Sequence, residues 1–454
     1  MMTRNNQNNR QPQPLKTGMP ALSSFQVVVL MGGIGSRLGE ITASVPKSML
    51  PSHGNPFFLY QLMLLIMAGF RNFLFLVGYR AEQVEEYFGD GSKFGVKIEY
   101  SYDGEKRLGT AGAVVKAYDK LDNSFLLMYG DTLLDVDYFE IVYRFCLGKQ
   151  NGYSSLMTVY RNNGQFDTSN VLLDTNDEII EYNKENPRED MHYIDYGISV
   201  FDKKVFSTLS RCEAIDLSYV QMKLASEGSM AACIIRKRFY EIGTPASFKS
   251  FKDYIEKRFF QSNKAVFLDR DGVINEIVLN ENTEQLDSPL NIEEFCFIDG
   301  AIEGLKKLQN KGYKLFIVTN QPAAAKGKVP LSTLYDINGY MLDELEWNGI
   351  EVDALSVCPH HPVGAERTQE RFLIQKCDCR KPSTGMLLDI LKKYNINKSS
   401  SFMIGDSLTD ILAGRRAGLK TAFIGDFKCD ICQKLNEDKP EIIAKNLLEL
   451  SEKL

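Results

Sequence analysis

At 454 residues the chain is too long for one ordinary hydrophobic core, so two domains are expected. A hydrophobic share of 44% and a charged share of 25% are those of a globular protein, and a formal net charge of -6 argues against a nucleic-acid or membrane-surface role. No run approaches the roughly 18 apolar residues of a membrane span, and nine cysteines in a chain that opens without an apolar stretch point to reduced thiols or metal ligands in a cytoplasmic protein.

Residues 1–23, with their Asn, Gln and Pro, read as a disordered tail. Beyond them strand-like and helix-like runs alternate, the pattern of α/β architecture with Rossmann-like sheets. The apolar run 25–31 enters a glycine-rich turn. Runs 73–78 and 125–129 repeat the theme, the second ending at Gly130-Asp131. A Lys-bearing helical stretch over 245–261 closes this series. A new series opens at 266–268, with later buried strands at 315–318 and 401–404. The boundary is expected near Ser262-Asn263, giving domains 24–261 and 262–454. The two series end in different chemical signatures, so there is no internal repeat.

The first strand is followed by Gly32, Gly33, Ile34, Gly35, Ser36, Arg37 and Leu38, and then by Pro46-Lys47-Ser48. Glycines let backbone N–H groups approach phosphate oxygens, and successive N–H groups form an anion-binding nest. Arg37 and Lys47 are the cations that a departing pyrophosphate needs. The spacing is neither a Walker loop nor the dinucleotide G-x-G-x-x-G.

With 108–112 (Leu-Gly-Thr-Ala-Gly), Gly130-Asp131 and 241–245 (Glu-Ile-Gly-Thr-Pro), this half resembles the sugar-phosphate nucleotidyltransferases, of the D-glycero-D-manno-heptose 1-phosphate guanylyltransferase type. The resemblance implies that Gly32, Gly33, Gly35 and Ser36 cradle the nucleotide, and that Leu108, Gly109 and Thr110 read its base. It implies that Lys184 holds the sugar phosphate and that Asp131 and Glu241 hold Mg²⁺. Glu241 stands where the family usually carries Asp. The reaction implied is in-line attack of a sugar 1-phosphate oxygen on the nucleotide α-phosphorus, with release of pyrophosphate.

The second half presents Asp269-Arg-Asp271-Gly-Val, Thr319-Asn320-Gln321, Arg380-Lys381-Pro382 and Gly405-Asp406, with Asp410 following. An apolar run that stops at two carboxylates spaced two apart places a nucleophile and a proton carrier at a strand tip. The four elements in this order resemble the haloacid dehalogenase phosphatases. That resemblance implies Asp269 as nucleophile, Asp271 as general acid and base, and Thr319 and Lys381 on the phosphoryl oxygens. Asn320 and Arg380 become substrate contacts, and Mg²⁺ is expected on Asp269, the carbonyl of Asp271, and Asp406.

Between these elements Cys358-Pro-His360-His361 is followed, after a loop, by Cys377-Asp-Cys379. Two short-spaced pairs can close a tetrahedral structural Zn²⁺ site, with His360 preferred because its spacing from Cys358 mirrors Cys377 to Cys379. The segment resembles that of the D,D-heptose 1,7-bisphosphate phosphatases and shares much with the histidinol-phosphate phosphatases. It departs at Pro322, where relatives carry Ser, which removes a backbone donor. Cys429 and Cys432 form a lone pair without partners for a site.

Together the halves imply neighbouring steps. Heptose 1,7-bisphosphate loses its 7-phosphate, and the 1-phosphate left behind accepts a nucleotidyl group from a nucleoside triphosphate. The implied product is GDP-D-glycero-α-D-manno-heptose, for surface-glycan synthesis. Partners are small sugar phosphates and nucleotides, with homo-oligomerisation left open. Two alternatives stay open: a histidinol-type phosphatase beside a transferase for another sugar, and a first domain that binds sugar nucleotide without turning it over.

Overall fold

The computed structural model describes residues 15, 18–33, 38, 42, 44–104, 108–162, 164–165, 167–210, 213–280, 285–365, 368–425 and 439–454. The chain divides into two compact units, Met19–Tyr254 and Ile255–Leu454, with Leu15 and Gly18 counted in the second.

In the first unit the strands β1 (Gln26–Leu30), β2 (Asn72–Val77), β3 (Lys97–Tyr102), β4 (Ser124–Tyr129), β5 (Ser155–Arg161), β6 (Val171–Leu173), β7 (Ile179–Tyr182), β8 (Tyr193–Asp202) and β9 (Met230–Ile235) form, among the described residues, one sheet. Its order is β7-β6-β8-β4-β1-β2-β3, with β5 added on β8 and β9 on β5. Strands β3, β2, β1 and β4 are parallel, whereas β8 runs antiparallel to β4 and β5, so the sheet is mixed.

All five residues of β1 are buried, as a β-branched strand covered on both faces must be. The helices α1 (Phe57–Ala68), α2 (Ala81–Phe88), α3 (Gly109–Lys116), α4 (Tyr138–Gln150), α5 (Leu217–Ser226) and α6 (Pro245–Ile255) fill the crossovers and flanks. Because β1 to β4 run the same way, their carboxyl ends share one edge. The residues just beyond them, Gly32, Gly78, Asp103 and Asp131, therefore gather where α/β sheets bind ligands.

The second unit is doubly wound. Strands β10 (Ala265–Leu268), β13 (Lys314–Asn320), β14 (Ala354–Cys358), β15 (Phe402–Gly405), β16 (Lys420–Ile424) and β17 (Ile442–Ala444) form a parallel sheet of order β14-β13-β10-β15-β16-β17. A separate hairpin joins β11 (Val278–Asn280) to β12 (Gln285–Asp287). The two-residue period of β10 sends Val266 and Leu268 to one core and Ala265 and Phe267 to the other. Helices α7 (Ala301–Asn310), α8 (Leu331–Trp347) and α11 (Leu447–Lys453) close the first of these cores, and α9 (Gly385–Lys393) and α10 (Leu408–Ala417) the second.

Expected strands are met within a residue or two of their ends. The helical stretch expected over 245–261 is α6 followed by a π-helical turn, Glu256–Phe260. The change of unit falls inside it, ahead of the Ser262-Asn263 position, because the turn is already tied to the second unit. Arg258 there is buried, its guanidinium donates to the Lys393 carbonyl at 3.1 Å, and it lies over the Tyr394 ring at 4.3 Å.

Ahead of the first unit, Leu15 is buried and its N–H donates to Glu370 Oε1 at 3.3 Å, within the second unit. It lies in the span read from sequence as tail, whose first 14 residues are outside those described. No helix among the described residues is long and apolar enough to cross a membrane.

Candidate active sites and a Cys–His centre

In the second unit the tip of β10 delivers Asp269 beside β15, its N–H donating to the Ile404 carbonyl at 2.9 Å. Lys381 reaches the same point from the loop before α9. Its buried ammonium lies 2.9 Å from Asp269 Oδ1 and 2.6 Å from Asp410 Oδ1, and donates to the Val318 carbonyl at 2.8 Å. Asn320, ending β13, clasps the backbone of Lys381, accepting from its N–H at 3.0 Å and donating to its carbonyl at 3.2 Å. Asp410 is fixed in turn at the start of α10, where Ser407 N–H and Oγ donate to its Oδ2 at 3.2 and 2.5 Å.

Oxygens of Asp269, Asp406 and Asp410 lie within 4.8 Å of one another. Burial, then the neighbouring carboxylates, pushes Asp269 and Asp406 up to about 7, against the pull of Lys381. Three carboxylates around one ammonium leave uncompensated negative charge, which suits a hard divalent cation. Gly272, at φ +76°, has no Cβ where one would strike the Asp406 carboxylate, so the turn after Asp271 can close over this centre.

Asp271 is held differently. Arg270, fully buried, donates through Nε and Nη2 to Asp271 Oδ1 at 3.0 and 2.8 Å, and Asn275 adds a third donor at 3.0 Å. Ser288 Oγ and Gln321 Nε2 donate to Oδ2 at 2.7 and 2.6 Å. Burial alone would raise this carboxyl, but the Arg270 charge and these donors outweigh it and hold it below its ordinary value. Gln321 also donates to Thr319 Oγ1 at 2.9 Å, linking Asp271 to Thr319.

Arg270, Ser288, Asn275 and Asn338, which accepts from Arg270 Nη1 at 2.8 Å, were not singled out in the sequence. A charge between the two aspartates of the Asp269-Arg-Asp271 motif was the one available signal. Ser288 follows a hairpin with no motif of its own.

The Cys–His centre lies beside this site. The Sγ of Cys379 is 3.2 Å from those of Cys358 and Cys377 and 3.3 Å from His360 Nδ1, and Cys358 Sγ is 3.6 Å from Cys377 Sγ. Zn–S bonds of 2.3 Å put tetrahedral ligands about 3.8 Å apart, so these spacings need to widen only slightly to take Zn²⁺. His361 points elsewhere, its Nδ1 accepting from Val363 N–H at 3.2 Å. Arg380, next to the cluster, donates to the His360 carbonyl at 3.4 Å, so the centre braces the segment that carries Lys381.

In the first unit Lys47 Nζ lies 2.8 Å from Asp131 Oδ2. A two-stranded ladder, Thr132–Leu133 against Tyr240–Glu241, sets Glu241 opposite Thr132, and Ile242 N–H donates to the Asp131 carbonyl at 3.0 Å. The ladder thereby brings the backbones of Asp131 and Glu241 close together. The charges of both, and of Asp195 and Asp216, reach Tyr129 at the end of β4; after burial they push its hydroxyl up.

Lys184 faces Asp195 and Asp216. Burial raises Asp195. Asp216 caps α5 and is held down by donation from Ser218, with Lys184 assisting against burial. Neither aspartate was singled out from the sequence.

Gly109, at φ +71°, and Gly112 are glycines because Ile215 and Glu213 press on them. The Ala111 and Gly112 N–H groups both donate to the Ile215 carbonyl, and Thr110 Oγ1 accepts from Leu217 N–H at 2.7 Å. Gly32 and Gly33 follow β1 as expected. Gly35, Ser36 and Arg37 lie outside the described residues, as do Cys429 and Cys432.

Residues 26–258 match the family model described as nucleotidyl transferase, and residues 378–450 that described as HAD-hydrolase-like. A D-glycero-beta-D-manno-heptose-1,7-bisphosphate 7-phosphatase of Haemophilus ducreyi is 37% identical over 188 residues, 41% of this chain and 96% of that protein. One of the same name from Pasteurella multocida is 38% identical over 161 residues, covering 36% and 80%. Among solved structures, HddC from Yersinia pseudotuberculosis complexed with GMP-PN aligns at 18% identity and a TM-score of 0.41, covering 51% of this chain and 99% of that one.

Proposed function

We propose that this chain, which belongs to the nucleotidyl transferase family through residues 26–258 and to the heptose-1,7-bisphosphate 7-phosphatase family through its second unit, performs two consecutive steps on one sugar. It is a bifunctional nucleotidyltransferase and phosphatase. The second unit removes the 7-phosphate of D-glycero-D-manno-heptose 1,7-bisphosphate, and the first transfers GMP from GTP to the heptose 1-phosphate so formed. The observation that carries the reading is the convergence of Asp269, Lys381 and Asp406 at the tips of adjacent strands. The substrate for which those relatives are named supports the choice of sugar.

In the phosphatase step Asp269 attacks phosphorus and carries the phosphoryl group, while Lys381 and Thr319 hold its peripheral oxygens. Asp271 gives a proton to the leaving sugar hydroxyl and takes one from the water that frees phosphate. To donate, it must first gain a proton that its five present donors disfavour, so substrate entry has to displace some of them. Asp269, the Asp271 carbonyl and Asp406 would hold Mg²⁺, which would neutralise the charge that these groups concentrate.

In the transferase step Lys47 neutralises the departing pyrophosphate together with Arg37, and Lys184 positions the sugar phosphate. Asp131 and Glu241 are the carboxylates that hold Mg²⁺ there. Cys358, His360, Cys377 and Cys379 would hold Zn²⁺, whose role with four protein ligands would be structural.

The test is one incubation of the full chain with heptose 1,7-bisphosphate, Mg²⁺ and each nucleoside triphosphate in turn, with products weighed by mass spectrometry. Inorganic phosphate, pyrophosphate and GDP-heptose are expected with GTP. Phosphate release from histidinol phosphate but not from the heptose bisphosphate overturns the phosphatase assignment. Nucleotide binding without pyrophosphate release from any triphosphate overturns the transferase assignment.

A further inference from the structure

Leu15 stands in a span whose composition reads as tail, yet it is buried and its amide is bonded within the second unit. Its acceptor, Glu370, is also buried and lies in the loop between His361 and Cys377. The two carboxylate oxygens go to two backbone amides far apart in sequence. Oε1 accepts from Leu15 N–H at 3.3 Å, and Oε2 accepts at 2.8 Å from the N–H of Leu331, the first residue of α8. One carboxylate therefore joins Leu15, the Cys–His loop and α8.

The same loop grips the turn of residues 322–328, which follows Gln321. Thr368 Oγ1 lies 2.9 Å from both the Ala324 and the Ala325 carbonyl oxygens and shares its proton between them. The turn closes on itself, Lys326 N–H donating to the Pro322 carbonyl and Lys328 N–H to the Ala323 carbonyl, each at 2.9 Å.

This turn carries charge next to the phosphatase centre. Lys328 is paired with Asp287, and the adjacent Ser288 donates to Asp271. Burial, and then the like charge of Lys328, hold the Lys326 ammonium down; Asp287 opposes them and Arg380 adds to the effect. The turn is thus linked to Asp271 on one side and feels Arg380, an expected substrate contact, on the other. Cations gathered in this way repel one another, so the turn has to be held from behind. Thr368 and Glu370 are placed to hold it.

We propose that Leu15 is a positioning residue of the phosphatase. Docked on Glu370, the segment ahead of the first unit is an intramolecular clasp that keeps the 322–328 turn in the shape that receives the sugar phosphate. Without that contact Glu370 Oε1 loses a donor inside the protein, and the loop that grips the turn shifts to regain one. Substrate binding then weakens, while Asp269, Lys381 and Asp406 stay as they are. The proposal rests on the phosphatase reading of the second unit.

The experiment measures phosphate release from heptose 1,7-bisphosphate by the full-length protein with Mg²⁺, separating kcat from KM. Leu15→Asp puts a charge where an apolar side chain is buried and sets it near the Glu370 carboxylate. Glu370→Gln keeps the shape but leaves one acceptor oxygen for two amides. Each should raise KM about 10-fold, with kcat within about two-fold of wild type. Leu15→Met conserves volume and should keep the wild-type KM. The double variant should be no worse than the poorer single one, because both break one contact. Pyrophosphate release by the first unit should be unchanged in all four.

A Leu15→Asp protein with the wild-type KM overturns the proposal. So does a fall in kcat that accompanies loss of bound zinc, because Leu15 then serves only the stability of the Cys–His loop. Single variants whose effects add in the double variant also overturn it, since the two residues then act separately. Wild-type protein that releases no phosphate from the bisphosphate removes the phosphatase reading, and the clasp with it.

Discussion

Arg270 sits between the two aspartates of the phosphatase loop and is fully buried, yet its guanidinium is the main reason Asp271 stays ionised. Replacing it with Met leaves Asp271 without its charge partner in a low-dielectric site. Breaking a buried pair in this way costs about 3–5 kcal/mol. Arg270→Met should therefore lower the unfolding midpoint of the second unit in a denaturant titration, and an unchanged midpoint would show that Asp271 finds another partner.

The carboxylates at about 7 give the opposite sign. Between about pH 4 and 7 the folded protein keeps protons that the unfolded chain has released, so metal-free stability falls as pH rises through that window. Cation binding favours the ionised forms and offsets the loss. Mg²⁺ should raise Tm more at about pH 8 than at about pH 5; shifts of equal size at both would mean that the three-carboxylate cluster is not where the metal acts. Asp269 was legible in sequence because it follows a buried strand, and Thr319, Lys381 and Asp406 through the order of motifs that carries the family resemblance. Ser288, Asn338 and Asp195 were not, because a lone polar residue gives no period and no spacing.

At the scale of elements, the long buried strands were readable and the short ladders were not. Thr132–Leu133 and Tyr240–Glu241 are two-residue strands from distant parts of the chain, too short to show alternation. That ladder nevertheless brings the backbone of Glu241 close to that of Asp131, two residues that the family resemblance alone had linked. The Cys–His loop was readable through its paired spacing, because metal ligands must sit close in sequence to share one ion.

Since the cluster braces Arg380 and Lys381, Cys377→Ser should reduce bound zinc below one equivalent and destabilise the second unit. Phosphate release should fall while pyrophosphate release persists. Unchanged zinc content by atomic absorption would remove Cys377 from the ligand set.

The whole molecule holds two sets of chemistry over separate cores. Asp269→Asn should abolish phosphate release with pyrophosphate release nearly intact, and Lys47→Ala or Asp131→Ala should do the reverse. A folded variant that loses both activities would contradict that independence. The two-domain division followed from length and from the restart of the strand series, but its position was set by Arg258, whose tie to Tyr394 carries no sequence signal.

Leu15 adds a matter of timing. The seat of this residue includes Glu370, so a ribosome must make more than three hundred further residues before that carboxylate exists for the Leu15 amide to find. The Leu15 amide thus waits without this partner through the synthesis of all the intervening chain, and a bulky tag fused close to it would compete with a late-formed contact.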